Sequence, residues 1–176
     1  MTVEIFLLGA VLLAIGLIFT STLRTATPPL PTSASVRETL LAMLPETVDG
    51  PVCELGSGWD GLARTLARRY PSAPVRGFEV SVLPWFVSRV FLGVSGPENL
   101  SLTCKNSHAT DLSDAALVVC YLTGPAMEKL RPKLEAELPP GTLVASNIFA
   151  FHGWQAFDTQ TAPGMYKSQV YLHWVG

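Results

Sequence analysis

The chain has 176 residues, 12 Lys and Arg against 14 Asp and Glu for a formal net charge of −2, with 48% hydrophobic and 15% charged residues. That length allows one domain plus extras, and the weak negative balance leaves no basic footprint for nucleic acid. The three cysteines, Cys53, Cys104 and Cys120, have no C-x-x-C spacing and sit in or near apolar runs. They read as buried reduced thiols, so neither a metal site nor a redox pair is expected.

The first elements lie ahead of any globular pattern. Val3 to Phe19 is almost wholly apolar, broken only by Glu4. At ~1.5 Å per residue a helix over this run reaches roughly 25 Å, slightly short of a ~30 Å hydrocarbon core. A cleaved signal peptide would want Lys or Arg before the run and a small-residue cleavage site, and a core helix would want a polar face. Neither describes the stretch, so residues 1–20 are expected to form a single transmembrane anchor. Arg24 and Arg37 follow it, which places the remainder on the cytoplasmic side by the positive-inside tendency. Residues 21–34, with Pro28, Pro29 and Pro31, read as an extended Ser/Thr/Pro linker, and the folded domain takes 35–176. Ser35-Val36-Arg37-Glu38 is a capping box, and Val36, Leu40, Leu41 and Leu44 form the stripe of a short helix closed by Pro45. Pro31-Thr32-Ser33 either packs at the domain edge or folds over a ligand pocket as a lid.

Cys53 to Gly61 reads Cys-Glu-Leu-Gly-Ser-Gly-Trp-Asp-Gly, after Pro51-Val52 and before Leu62, Ala63, Leu66 and Ala67 at helical spacing. This is a strand, a glycine-rich turn and a helix start, which lets backbone N–H groups approach a ligand. An adenosine-containing cofactor binds at the carboxyl end of the first strand in such units. Two readings compete. Gly56, Gly58 and Gly61 fit the dinucleotide spacing, with Glu79 at the ribose-binding distance. Starting instead at Glu54, Glu-Leu-Gly-Ser-Gly resembles the first motif of class I S-adenosylmethionine (SAM) methyltransferases. A buried acid is costly without a partner; SAM brings a cationic methionine portion, whereas a pyrophosphate would be repelled. The third glycine of the methyltransferase spacing would fall at Asp60.

Further along, Leu62 to Tyr70 reads as an amphipathic helix and Val75 to Phe78 as a strand ending at Glu79, a carboxylate placed to accept from ribose hydroxyls. Pro84 opens a helix with Trp85, Phe86, Val90 and Phe91. Leu100 to Cys104 is a third strand whose exit loop carries His108 and Asp111, the latter a candidate for the adenine amino group. Ala115 to Leu122 reads as a central strand buried on both faces, ending at Tyr121 on the sheet's carboxyl edge. A helix interrupted or restarted at Pro132 follows, then a strand from Thr142 to Asn147 and a closing antiparallel pair, 155–158 and 169–175. The pattern predicts a doubly wound, mostly parallel α/β sheet closed by a C-terminal hairpin.

Taken together, these stretches resemble the small membrane-anchored protein-lysine methyltransferases related to the mitochondrial ATP synthase c-subunit lysine methyltransferase, and their bacterial relatives. Glu54-Leu55-Gly56-Ser57-Gly58 is similar to that family's first motif and Gly77-Phe78-Glu79 to its second. Leu83-Pro84-Trp85 resembles an Asn-Pro-Trp, Phe151-His152-Gly153-Trp154 a Phe-Pro-x-Trp, and Tyr166-Lys167-Ser168 a Tyr-Lys-Ser element. Trp59-Asp60 stands where the family has Asp-Gly. The resemblance implies a Rossmann-like, SAM-dependent protein-lysine methyltransferase acting on a membrane-associated protein, with no metal. Glu54, Gly56, Ser57, Gly58, Gly61, Glu79 and Asp111 would then hold SAM, and Tyr121 and Trp154 would shape the acceptor channel. A nicotinamide-dinucleotide-binding redox or sensor module and an inactive membrane-tethered scaffold stand as alternatives.

Overall fold

The computed structural model describes the backbone of residues 2–25 and 32–176. Seven strands form one sheet in the order β3-β2-β1-β4-β5-β7-β6, with β1 Val52–Leu55, β2 Val75–Glu79, β3 Leu100–Cys104, β4 Leu117–Cys120, β5 Leu143–Asn147, β6 Asp158–Thr161 and β7 Gln169–Trp174. The first five run parallel, and β7 pairs antiparallel to both β5 and β6. β1 and β4 are buried at every position, as a parallel strand covered on both faces should be. The chain leaves β1 toward β2 and β3, then returns to β4 on its other side. That reversal opens a crevice at the carboxyl ends of β1 and β4.

Helices α2 (Ala34–Met43), α3 (Gly61–Arg69), α4 (Val82–Ser95) and α5 (Gly124–Glu137) cover the two faces. Val36 and Leu40 of α2 and Leu62, Ala63 and Leu66 of α3 share one core with Val52, Val119 and Ala145. Met127, Leu130 and Leu134 of α5 share the other with Leu55, Val118 and Val144. Successive residues of a strand point to opposite faces, so these two clusters fix which strand side chains look which way.

Several expectations change in detail. The N-cap of α2 is Ser33, whose hydroxyl accepts from Val36 N at 3.4 Å, so the helix starts ahead of the Ser35 capping box. The helix around Trp85 starts at Val82, leaving Pro84 in its first turn. α5 runs unbroken through Pro132; Pro132 and Glu128, whose carbonyl loses its N–H partner, are both exposed, the side of a helix where that loss is smallest. The penultimate strand is 158–161, not 155–158, because Phe157 N–H pairs with Leu172 O only where the chain meets β7.

The N-terminal expectation is corrected. Helix α1 (Thr2–Thr25) runs past the expected boundary at residue 20 into the expected linker, and linker residues 26–31 lie outside the described residues. Among the described residues no helix is long and apolar enough to cross a membrane. The shortfall is one of apolar length within the helix: Val3 to Phe19 rises only about 25 Å against roughly 30 Å of hydrocarbon, and the turns beyond it bring Thr20, Ser21, Thr22 and Arg24. Cys53 and Cys120 are buried and unpaired, as expected, whereas Cys104 is exposed. Burial pushes the Cys53 thiol up to about 11 and Cys120 higher still, so neither ionises at neutral pH.

Candidate active site

The glycine-rich turn leaves β1 and doubles back under β2: the N–H groups of Gly56 and Ser57 donate to Phe78 O at 2.9 and 3.1 Å. Gly56 has φ +85°, and a Cβ there would sit 2.7 Å from Tyr121 O and 2.7 Å from Leu122 Cδ2. Only glycine fits against that backbone carbonyl. Gly58 also has positive φ, and its N–H donates to Glu79 Oε2 at 2.8 Å while Ser81 N–H donates to Oε1 at 2.7 Å. The second motif's acid therefore latches the loop of the first. Asp60, at the place of the expected third glycine, takes the left-handed conformation itself (φ 61°) as N-cap of α3, a region Asp tolerates better than most residues. Its buried carboxylate pairs with Arg64.

Glu54 is the electrostatic centre. It is 2% exposed, and its Oε2 has no hydrogen-bond partner. Burial, then the charges of Asp60 and Glu79, push its pKa up to about 8, against a smaller opposing pull from the Ala63 backbone N–H. A carboxylate orphaned this way is short of positive charge.

Glu54, Gly56, Ser57, Gly58 and Gly61 line one cleft. Thr32, Arg37, Trp59, Leu62 and Tyr121 line the same cleft. Thr32 thus reaches the cleft, as the lid reading allowed, while Pro31 lies outside the described residues. Arg37 was missed: its charge reads from sequence as one more solvated position on α2, and only its place in the cleft lining, with Nη1 3.8 Å from where a Cβ on Gly61 would lie, reveals the orientation. Tyr121 follows β4 and is half-buried; burial raises its phenol pKa, so the hydroxyl stays protonated near neutral pH.

Three expected residues are not among those lining this cleft: Glu79, which reaches the glycine loop through its bond to Gly58 N–H, and Asp111 and Trp154, which lie apart. Asp111 is exposed, and its Oδ1 accepts from Ser113 N–H and Oγ at 3.0 and 2.7 Å. Those bonds hold its pKa below the usual carboxylate range. Trp154 packs on the opposite face of the sheet, its ring 5.1 Å from Phe151 and 5.3 Å from His173, with Nε1 donating to Trp174 O at 3.0 Å. No group of three or more His, Cys, Asp or Glu placed to hold a metal occurs among the described residues.

Residues 54–158 match the ANTKMT methyltransferase domain family. The chain belongs to that family. A protein-lysine N-methyltransferase of Saccharolobus islandicus is 29% identical over 153 residues, covering 85% of this chain and 94% of that protein. The adenine nucleotide translocase lysine N-methyltransferase of Mus musculus is 31% identical over 136 residues, covering 76% of this chain but 58% of that longer protein. Among solved structures, an RNA methyltransferase from Salinibacter ruber in complex with S-adenosyl-L-homocysteine superposes with TM-score 0.74 at 25% identity, over 83% of this chain and 94% of that one. A precorrin-6y C5,15-methyltransferase from Geobacter metallireducens shares the fold at TM-score 0.65 and 16% identity, over 82% and 90%. The family member described here is therefore a SAM-dependent methyltransferase, and the dinucleotide and silent-scaffold readings fall away. Its turn fits a cationic cofactor: one oxygen of the buried Glu54 carboxylate is left without a partner among the described residues, on a turn whose Gly56 packs too tightly against Tyr121 O for any Cβ.

Proposed function

We propose that the protein methylates the ε-amine of lysine in a protein substrate. The observation that carries this is the likeness, over 85% of this chain and 94% of the relative, to a protein-lysine N-methyltransferase, which the shared methyltransferase fold alone would not give. Glu54, Gly56, Ser57, Gly58 and Gly61 are assigned to the methionine end of SAM, with Arg37 facing its carboxylate. Glu79 is assigned to the ribose hydroxyls and Asp111 to the adenine side. SAM supplies an electrophilic methyl group on a sulfonium. The chain's own residues then have to orient the amine, exclude water and keep the amine neutral. A lysine with a reference pKa near ~10.4 must shed its proton first, and desolvation beside Tyr121 favours the neutral form. Tyr121, itself protonated, walls the channel without acting as a base. Positioning of two reactants can supply of order 7–11 kcal/mol of barrier reduction at best. Incubating the purified protein with labelled SAM and extracts from a deletion strain, followed by mass spectrometry of labelled bands, tests this. Methyl-lysine is expected; label on other side chains or on RNA overturns it.

We also propose that the substrate is presented at a membrane surface. Val3, Phe6, Leu7, Val11 and Leu12 of α1 are exposed, and α1 lies alongside α4. That helix exposes Val82, Phe86, Val90 and Val94 at four-residue spacing, a stripe a soluble surface rarely carries. Deleting residues 2–25 should cut methylation of membrane-fraction substrates more than of soluble ones. Equal activity on both fractions removes the proposal.

A further inference from the structure

Asn147 carries a polar atom that nothing among the described residues satisfies. It ends β5, is 1% exposed, and its Oδ1 has no hydrogen-bond partner. The amide Nδ2 donates to Thr32 Oγ1 at 3.4 Å, which leaves the oxygen as the open end. A buried carbonyl oxygen without a donor costs about 1–3 kcal/mol, a cost that makes sense where a ligand brings the donor.

Its place in the sheet says which ligand. Glu54, Val119 and Ala145 stand in one register row across β1, β4 and β5, and Val119 and Ala145 belong to the core on the α2 and α3 face. Two residues further on, Tyr121 and Asn147 point to that same face, at the carboxyl edge. Asn147 is thus two strands from Glu54, beyond Tyr121, and hydrogen-bonded to Thr32, a wall of the cleft. The residue that follows, Ile148, has φ +71°, a conformation of order 1–3 kcal/mol above relaxed backbone for a non-glycine side chain. The turn is held in place by Ile148 N–H donating to Gln169 O at 2.8 Å and Phe149 N–H to Asn147 O at 2.9 Å. An unmet acceptor and a strained turn therefore adjoin one another on the side of Tyr121 away from the glycine loop.

We propose that Asn147 Oδ1 accepts a hydrogen bond from the methyl-accepting amine and so positions its lone pair toward the cleft. This rests on the lysine reading. In the transfer the neutral amine's lone pair forms the N–C bond while the methyl C–S bond breaks. The pair from that bond stays on sulfur as the thioether of S-adenosylhomocysteine. The positive charge passes to nitrogen, and its surplus proton leaves to water. Asn147 neither gains nor loses a proton; it is a positioning residue.

The test uses the full chain, SAM and a lysine substrate found by the labelling experiment. Asn147→Leu should lower kcat roughly 10- to 100-fold, the scale of a misplaced reactant, with SAM Kd by calorimetry within about threefold of wild type. Asn147→Asp, which keeps an oxygen at that point, should restore most of the rate. If Asn147→Leu gives no cooperative unfolding transition, Asn147→Ser, too short to reach, serves instead and should show the same split. A rate within about twofold of wild type, or a loss of SAM affinity equal to the loss of rate, overturns the assignment. A wild-type protein that leaves lysine unmodified overturns the lysine reading instead, so the two failures are told apart.

Discussion

With its pKa raised to about 8, Glu54 is mostly protonated at neutral pH before cofactor arrives. A cationic ligand favours the ionised form, so binding expels a proton and SAM affinity should climb as pH rises from 6 to about 8 and level off above it. Glu54→Gln should flatten that slope and weaken SAM by roughly 10- to 100-fold at pH 8.5, the scale of a lost charged hydrogen bond. Calorimetry in buffers of different ionisation enthalpy reads both the affinity and the proton; a flat wild-type profile contradicts the role. Gly56→Ala tests the cradle. Its Cβ meets backbone at 2.7 Å in a φ of +85°, so SAM binding should fall below detection while the far-UV circular dichroism stays native-like. Intact binding by Gly56→Ala would remove the turn from the site.

Helix α5 carries the most local conflict between sequence and structure. Pro132 sits inside it yet does not break it, since Met127, Leu130 and Leu134 are fully buried and hold both halves to the sheet. Pro132→Ala should stabilise the protein by about 2 kcal/mol, less than the ~3 kcal/mol propensity gap because the freer unfolded chain takes some back. At this chain length that is a rise of roughly 4–8 °C in Tm by calorimetry; no rise means the helix is already kinked there. Such tertiary override explains why a restart at Pro132 was the natural sequence reading. The glycine turn was legible because Gly56, Gly58 and Glu54 lie within five residues and their chemistry is local. Arg37 and Asn147 were not, because the one lines the cleft and the other meets Thr32 through contacts between distant segments, which no periodicity records. Trp154 shows the same limit from the other side: an aromatic in an irregular stretch carries no period to say which face of the sheet it covers.

Across the whole molecule, two buried groups oppose each other with pH. Glu54 titrates higher folded than unfolded, so the folded state binds more protons and stability declines as pH rises from about 4.5 to about 8. His173 is buried, and desolvation lowers its pKa, so its contribution is lost as pH falls below its unfolded value of ~6.5. Cofactor-free protein should therefore lose stability on both sides, and Glu54→Gln should remove the alkaline limb, worth a few kcal/mol. Urea unfolding at pH 6, 7 and 8.5 measures it; an unchanged alkaline limb in the variant would assign the slope elsewhere.

Helix α2 rests on β5 and β7, and Thr32 meets Asn147 across 115 positions of sequence. A ribosome releases the first of these partners well over a hundred residues before the second. Val36 and Leu40 must then wait, uncovered, until the last strands emerge, so early on the nascent chain owns a sticky helix with nowhere to dock. The Thr32 and Arg37 side of the cofactor cleft is therefore fixed only once β5 and β7 have been made.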